Sequence, residues 1–201
     1  MKVAIVKYNA GNIFSVVNAL KRIDVEPIIT DDHHVLRMAD CVILPGQGSA
    51  ATTMAALHDR GLDTLLPQLK QPVLGICVGQ QLLCEYSEEG NTQCLGIFKG
   101  VCVKRFVALK QTHKVPHMGW NNIERLHDPL FAGIQEEDFV YYIHSYYAPV
   151  NEYTIATTHY IVPFSGAMQR DNFYATQFHP EKSGDVGERI LSNFIEIAKQ
   201  T

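Results

Sequence analysis

The chain has 201 residues, 46% hydrophobic and 19% charged, enough for one well-filled core and short for two typical domains, so one domain over residues 1–201 is expected. A formal net charge of −4 provides no global basic field, which argues against nucleic acid or an anionic membrane surface as the main partner. No apolar stretch approaches the roughly 20 residues of a membrane span. The first residues, Met1-Lys2-Val3-Ala4-Ile5-Val6, read directly as a buried strand without a signal-peptide cleavage site, so a cytoplasmic protein is expected. Helical spacing follows from Asn12 to Ile23, where Ile13, Val16, Val17, Leu20 and Ile23 share one face. Pro27 to Thr30 and Cys41 to Leu44 are short apolar runs bounded by turn residues, with His33-His34 between them reading as a solvated turn. Helical patterns run from Ser49 to Leu69, ahead of a strand from Val73 to Ile76. This repeated βα order predicts an α/β fold, a mostly parallel central sheet with helices on both faces. Ligands of such sheets bind outside the carboxyl ends of the strands, so residues 7–12, residues 45–49 and Cys77 converge on one rim.

Past Leu95 the pattern changes to strands without evident crossover helices. Phe98 to Phe106, Phe139 to Ile143, Tyr153 to Thr158, Ser165 to Gln169 and Phe173 to Thr176 predict antiparallel strand additions in the C-terminal half. Residues 107–114 read as a mobile hairpin tip. A last helix from Asp185 to Lys199 places Val186, Ile190, Leu191, Phe194, Ile197 and Ala198 on one side and closes the core. The five cysteines, at 41, 77, 84, 94 and 102, are odd in number and form no C-x-x-C pair. That argues against a disulfide scaffold and a structural zinc site, and neither metal nor cofactor is expected.

Two segments carry chemistry. In Gly75-Ile76-Cys77-Val78-Gly79-Gln80-Gln81 a thiol stands between two glycines, where an apolar run gives way to a helical pattern. This is the spacing of a nucleophile elbow with sulfur in place of oxygen. The helix start directs N–H groups and positive partial charge at the thiolate, and the Val78 N–H is the natural first oxyanion donor. In Phe178-His179-Pro180-Glu181 a strand-like run ends in a histidine and a carboxylate. His179 would take the thiol proton and return it to a leaving amine, while Glu181 would hold the imidazole in the useful tautomer. Taken singly, Cys77 reads first as a core cysteine, His179 as a loop histidine and Glu181 as a solvated acid; together they suggest a Cys-His-Glu triad. Pro45-Gly46-Gln47-Gly48-Ser49 lacks the Lys-Ser/Thr of a phosphate loop and reads as a second oxyanion donor, Gly46 and Gly48 letting the Gln47 peptide reorient, or as an ordinary tight turn.

With these motifs in view, the chain resembles the class I, triad-type glutamine amidotransferases. Within that family it is similar to the branch of glutaminase subunits that serve imidazole glycerol phosphate synthases in histidine biosynthesis. The branch resemblance rests on Tyr8-Asn9-Ala10-Gly11-Asn12, Pro45-Gly46-Gln47-Gly48, Pro116-His117-Met118-Gly119-Trp120-Asn121, His144-Ser145-Tyr146 and Lys182-Ser183-Gly184. The resemblance implies that Cys77 attacks the glutamine side-chain amide, that ammonia leaves, and that water hydrolyses the γ-glutamyl thioester. It places Gly48, Gln81, His144, Ser145 and Tyr146 at the glutamine, and Gly46 and Gln47 at the oxyanion. Asn12, Trp120, Asn121 and Lys182 match a face that docks on a cyclase (β/α) barrel and passes ammonia into it. Read without the resemblance, Gln81 is a helix-surface amide, Trp120 a core ring, Lys182 a solvated charge, and Asn12 and Asn121 are turn residues. Three other readings keep the fold: a paralogue feeding a surface-sugar amination synthase, a catalytically silent scaffold, and a cysteine peptidase of the same elbow type. The resemblance also implies low activity alone and stimulation when the barrel binds its ribonucleotide.

Overall fold

Short β-branched runs build the centre of the molecule in the computed structural model, which describes residues 1–8, 13–107 and 114–201. The first half comprises β1 (Val3–Val6), α1 (Phe14–Arg22), β2 (Pro27–Thr30), α2 (His33–Arg37), β3 (Cys41–Leu44), α3 (Ala50–His58), α4 (Leu62–Leu65), β4 (Val73–Ile76) and α5 (Val78–Leu83). Then follow β5 (Cys84–Ser87), β6 (Thr92–Gln93), β7 (Phe98–Arg105), β8 (His117–Asn122), β9 (Phe139–His144), β10 (Tyr146–Tyr147), β11 (Thr154–His159), β12 (Pro163–Arg170), β13 (Phe173–Thr176) and α6 (Gly184–Lys199). The central sheet has the order β11-β12-β13-β4-β3-β1-β2. Every residue of β1, β3 and β4 is buried, as strands covered on both faces must be. Helix α1 packs on α6, while α3 packs on α4 and α5. No helix among the described residues is long and apolar enough to cross a membrane.

The structure corrects the antiparallel expectation in part. In the central sheet it holds for β11 and β12, but β13 runs parallel to β4, with Thr176 opposite Ile76. The cause is a clamp at the strand starts: the Asn172 amide donates to the carbonyls of Leu69 and Gln71 at 3.0 and 2.8 Å, and Val73 N–H donates to Asn172 O. The Phe98 strand, β7, lies in a second sheet, parallel to β5 and antiparallel to β10. The Phe139 strand, β9, pairs with β8 in a two-stranded ribbon.

Two further expectations change. His33-His34 open a short helix, because the Asp32 carboxylate accepts the His34 and Val35 N–H groups at 2.8 and 3.0 Å, an N-cap in place of a free turn. The helical stretch from Ser49 to Leu69 is interrupted after α3, where Gly61 takes the left-handed conformation at φ 64°. Asn12, with the rest of residues 9–12, and most of the 107–114 tip lie outside the described residues.

Candidate active site

Cys77 links β4 to α5 at φ 53° and ψ −106°. A non-glycine residue there stores about 1–3 kcal/mol of strain, so the position is held from both sides. Cys77 N–H donates to Thr176 O at 2.7 Å on β13, and Cys77 O accepts the Gln80 N–H at 3.0 Å. The elbow leaves no room behind it: a Cβ on Gly79 would lie 2.4 Å from Leu44 O, and one on Gly46 would lie 1.7 Å from Ile76 O and 2.5 Å from Val78 N. Residues 45–49 therefore lie directly against the elbow.

The chain beyond β13 delivers the base. His179 N–H donates to Tyr141 O at 2.9 Å, and the Ser183 hydroxyl donates to His179 O at 2.6 Å while accepting the Tyr141 N–H at 2.9 Å. Glu181 Oε1 stands 2.7 Å from His179 Nδ1, with only 2% of the Glu181 side chain exposed. It is a buried partner and not a solvated acid. The other imidazole nitrogen is left for Cys77, whose charge acts on His179. Burial disfavours the imidazolium, but the Cys77 thiolate and Glu181 outweigh it and push His179 up to about 10.

A residue that local sequence reading missed completes the sulfur's surroundings. The Gln177 amide donates to Cys77 Sγ at 3.6 Å and its Oε1 accepts from Gln81 Nε2 at 3.0 Å. Its signal was present in the sequence: Gln177 stands two residues before His179, and extended chain puts alternate side chains on one side.

Cys77 opens into a cleft of about 280 Å³. Gly48, Val78, Gln81, His144, Ser145 and Tyr146 line it with Cys77, as do Pro116, Ile143 and Glu89, whose carboxylate had no assigned role. Gln81 is buried, and it spends its amide hydrogens on Tyr146 O, at 2.9 Å, and on Gln177. What it offers a ligand is its carbonyl oxygen. The buried Tyr8 hydroxyl reaches the segment of residues 45–49 and donates to Pro45 O.

His144 is fixed by a relay whose direction the chemistry dictates. Tyr146 O can only accept, so His144 Nδ1, 2.8 Å away, carries the proton. Its Nε2 then accepts from His117 Nδ1 at 3.0 Å, and His117 Nε2 accepts from Asn121 Nδ2 at 3.3 Å. Both rings must be neutral for this, and burial pushes His117 down to about 4 and His144 down to about 3. Unfolded, each ring takes a proton near pH 6.5, so between about pH 6.5 and 4 the unfolded chain binds more protons and stability rises with pH. Acidification through that window should remove about 1.4 kcal/mol per pH unit for each ring. Denaturant unfolding at a series of pH values checks this, and His117→Gln should make the acid limb shallower by about one proton.

On the outer side of the ribbon, Met118, Trp120 and Phe139 are exposed, Trp120 by 55%. Trp120 is thus no core ring; it stands opposite Tyr141 across β8 and β9. Lys182, three residues after His179, is exposed. Asn121 is half-buried and also donates to His159 O at 2.9 Å.

Residues 5–198 match the family model described as glutamine amidotransferase class-I. The imidazole glycerol phosphate synthase subunit HisH of Bacteroides fragilis (strain YCH46) is 60% identical over 197 residues, spanning 98% of this chain and 100% of that protein. The imidazole glycerol phosphate synthase subunit HisH 2 of Legionella pneumophila (strain Lens) is 41% identical over 196 residues, spanning 97% and 98%. A crystal structure of a glutamine amidotransferase has a TM-score of 0.76 at 19% identity, over 98% of both chains, a likeness of fold.

Proposed function

Because this chain belongs to the class I glutamine amidotransferase family, we propose that it hydrolyses glutamine to glutamate and ammonia and delivers the ammonia to the cyclase subunit of an imidazole glycerol phosphate synthase. The observation that carries the chemistry is the strained elbow at Cys77 together with the buried pair in which His179 Nδ1 is 2.7 Å from the Glu181 carboxylate, with the charge at Cys77 acting on the same imidazole. The Cys77 thiolate attacks the side-chain amide carbon. His179 gives its proton to the departing ammonia, then takes one from the water that cleaves the thioester. Val78 N–H stabilises the oxyanion, joined by Gln47 N–H once its peptide turns. Gln177 keeps the sulfur aligned. Glu89 supplies the negative charge in the cleft that suits an α-ammonium, and Gln81 and the His144–Tyr146 segment hold the rest of the amino acid.

The exposed apolar face of Met118, Trp120 and Phe139, with Lys182 and Asn121, seats the (β/α) barrel in a heterodimer, and the resemblance assigns Asn12 to the same interface. Apolar anchors with a polar rim are the composition of a specific interface. Residue Ile143, on the same ribbon, turns its carbonyl to Cys77 Sγ at 3.8 Å, so the ribbon that docks also lines the reaction. The reaction needs no metal or organic cofactor. A biosynthetic step of this kind belongs in the cytoplasm.

The test is glutamate release from glutamine by the wild type and by Cys77→Ala, each alone and with a cyclase barrel and its ribonucleotide ligand. Expected is wild-type release that rises strongly with the liganded barrel, and none from Cys77→Ala. Cys77-dependent release that ignores the barrel would reassign the acceptor, as in a surface-sugar paralogue. Silence under every condition would leave a scaffold.

A further inference from the structure

Resting on the glutaminase reading above, we propose that His144 serves glutamine binding as a positioning residue and not as a substrate ligand. With its proton fixed on Nδ1 by His117, it pins the Tyr146 carbonyl and, through that carbonyl, turns the Gln81 side chain to present its oxygen to the substrate. The proton positions follow from both ends of the chain of contacts. At the outer end His159 O can only accept, which puts the Asn121 amide nitrogen there at 2.9 Å, and the Asn122 N–H on Asn121 Oδ1, also at 2.9 Å, agrees. The second hydrogen of that nitrogen faces His117 Nε2 at 3.3 Å, so His117 carries its proton on Nδ1 and gives it to His144 Nε2 at 3.0 Å. His144 is left with its own proton on Nδ1, facing Tyr146 O at 2.8 Å. Tyr146 O, an acceptor only, requires the same arrangement from the inner end. Both nitrogens of His144 are spent inside the protein, and the ring has no polar atom left for a ligand.

Packing keeps the relay in this one form. The His117 ring lies stacked between those of Tyr142 and Tyr160, with centroids 4.7 and 4.0 Å away, and both histidines are buried. The carbonyl that receives the relay is lightly held by its own sheet, since β10 is only two residues long. Tyr146 O takes two side-chain hydrogen bonds instead, from His144 Nδ1–H and from Gln81 Nε2 at 2.9 Å, which fills both of its lone pairs. The other amide hydrogen of Gln81 goes to Gln177 Oε1 at 3.0 Å. With both hydrogens committed, Gln81 can only accept from what enters the cleft. A residue at 144 that cannot donate leaves the Tyr146 carbonyl one bond short and free to turn, and Gln81 then loses one of the two acceptors that orient it. Its bond to Gln177 survives, so the sulfur keeps its neighbour.

His144→Phe keeps an aromatic ring against Phe106 and Phe164 but donates nothing. In the complex with the liganded barrel it should raise KM for glutamine about tenfold, the worth of one neutral hydrogen bond, with kcat within about twofold. His144→Asn puts an amide nitrogen in the place of Nδ1 and should bring KM back to within about threefold of the wild type. A merely structural histidine would lower Tm in both variants and leave KM alone, and a ring that touched glutamine would lose as much with Asn as with Phe; either result overturns the proposal. If the stimulated wild type releases no glutamate, the glutaminase reading falls, and the proton positions still decide the relay. Nitrogen-15 NMR of the histidine-labelled wild type at about pH 7 should show His117 and His144 protonated on Nδ1 alone. A proton on Nε2 of either ring would overturn the relay, whether or not the variants fold.

Discussion

His179→Gln, assayed in the stimulated complex, should lose about 10⁴-fold or more in kcat for glutamine hydrolysis with KM little changed. The histidine serves both halves of the reaction, keeping the thiol ionised and protonating the departing ammonia, and then activating water against the thioester. Glutamine is near it in length but has no basic nitrogen and cannot carry the proton. The fold should tolerate it, because the backbone anchors at this residue, His179 N–H to Tyr141 O and Ser183 to His179 O, do not use the ring. Loss of the imidazolium also leaves Glu181 as a buried carboxylate facing an amide. Its Oε2 already has no hydrogen-bond partner, so the variant keeps a charge that the wild type balances, and a modest fall in Tm accompanies the loss of rate. Glu181→Gln separates the two effects. It removes the charge and allows the wrong imidazole tautomer, and it should also cost several orders of magnitude in kcat, about 10⁴ by analogy with an Asp→Asn change in a serine triad. A drop of less than about tenfold for His179→Gln would assign the proton transfers elsewhere.

The elbow and the triad were legible because their constraints are local. Glycines at 75 and 79 bracket a thiol at a strand-to-helix junction, and the found conformation of Cys77, at φ 53°, is the strained turn that the spacing predicts. His179 and Glu181 are two residues apart, so one short turn sets their mutual distance. What stayed hidden depends on partners distant in sequence. Gln177 matters because the elbow 100 positions earlier points its sulfur at it. The direction of β13 is set by Asn172 reaching Leu69 and Gln71 across the sheet, whereas the local pattern shows only a hairpin with β12. Strand β8, His117-Met118-Gly119-Trp120-Asn121-Asn122, contains one glycine and two asparagines, poor strand residues. It becomes a strand by pairing with β9. The histidine relay behind the cleft follows from that pairing, since His117 lies opposite His144 in the ribbon.

Gly187→Ala sets two magnitudes against each other. Gly187 lies inside the long helix α6, where alanine is favoured over glycine by about 1 kcal/mol. On propensity alone the substitution should stabilise. Its Cβ, however, would sit 1.9 Å from Pro180 O and 2.8 Å from Pro180 C, and these are backbone atoms that no rotamer change can remove. Relieving the clash requires the helix to withdraw or the turn at residues 180–182 to shift by more than about 1 Å, at an overpacking cost of about 1–3 kcal/mol or somewhat more. The clash wins. Net destabilisation of about 2 kcal/mol corresponds to a Tm lower by about 4–8 °C in a domain of this size. The functional effect is larger, because Pro180 lies between His179 and Glu181 and moving it moves both. A displacement of about 1 Å at a reacting group costs about 10² in rate, so kcat in the stimulated complex should fall by at least that factor, with binding of glutamine nearly intact. Calorimetry and steady-state kinetics on the same preparation give both numbers. A higher Tm with full kcat would mean that the helix yields freely and that its close approach does not place the triad; a lower Tm with kcat lost and KM retained would make Gly187, which never touches the substrate, the residue that fixes the distance between base and carboxylate.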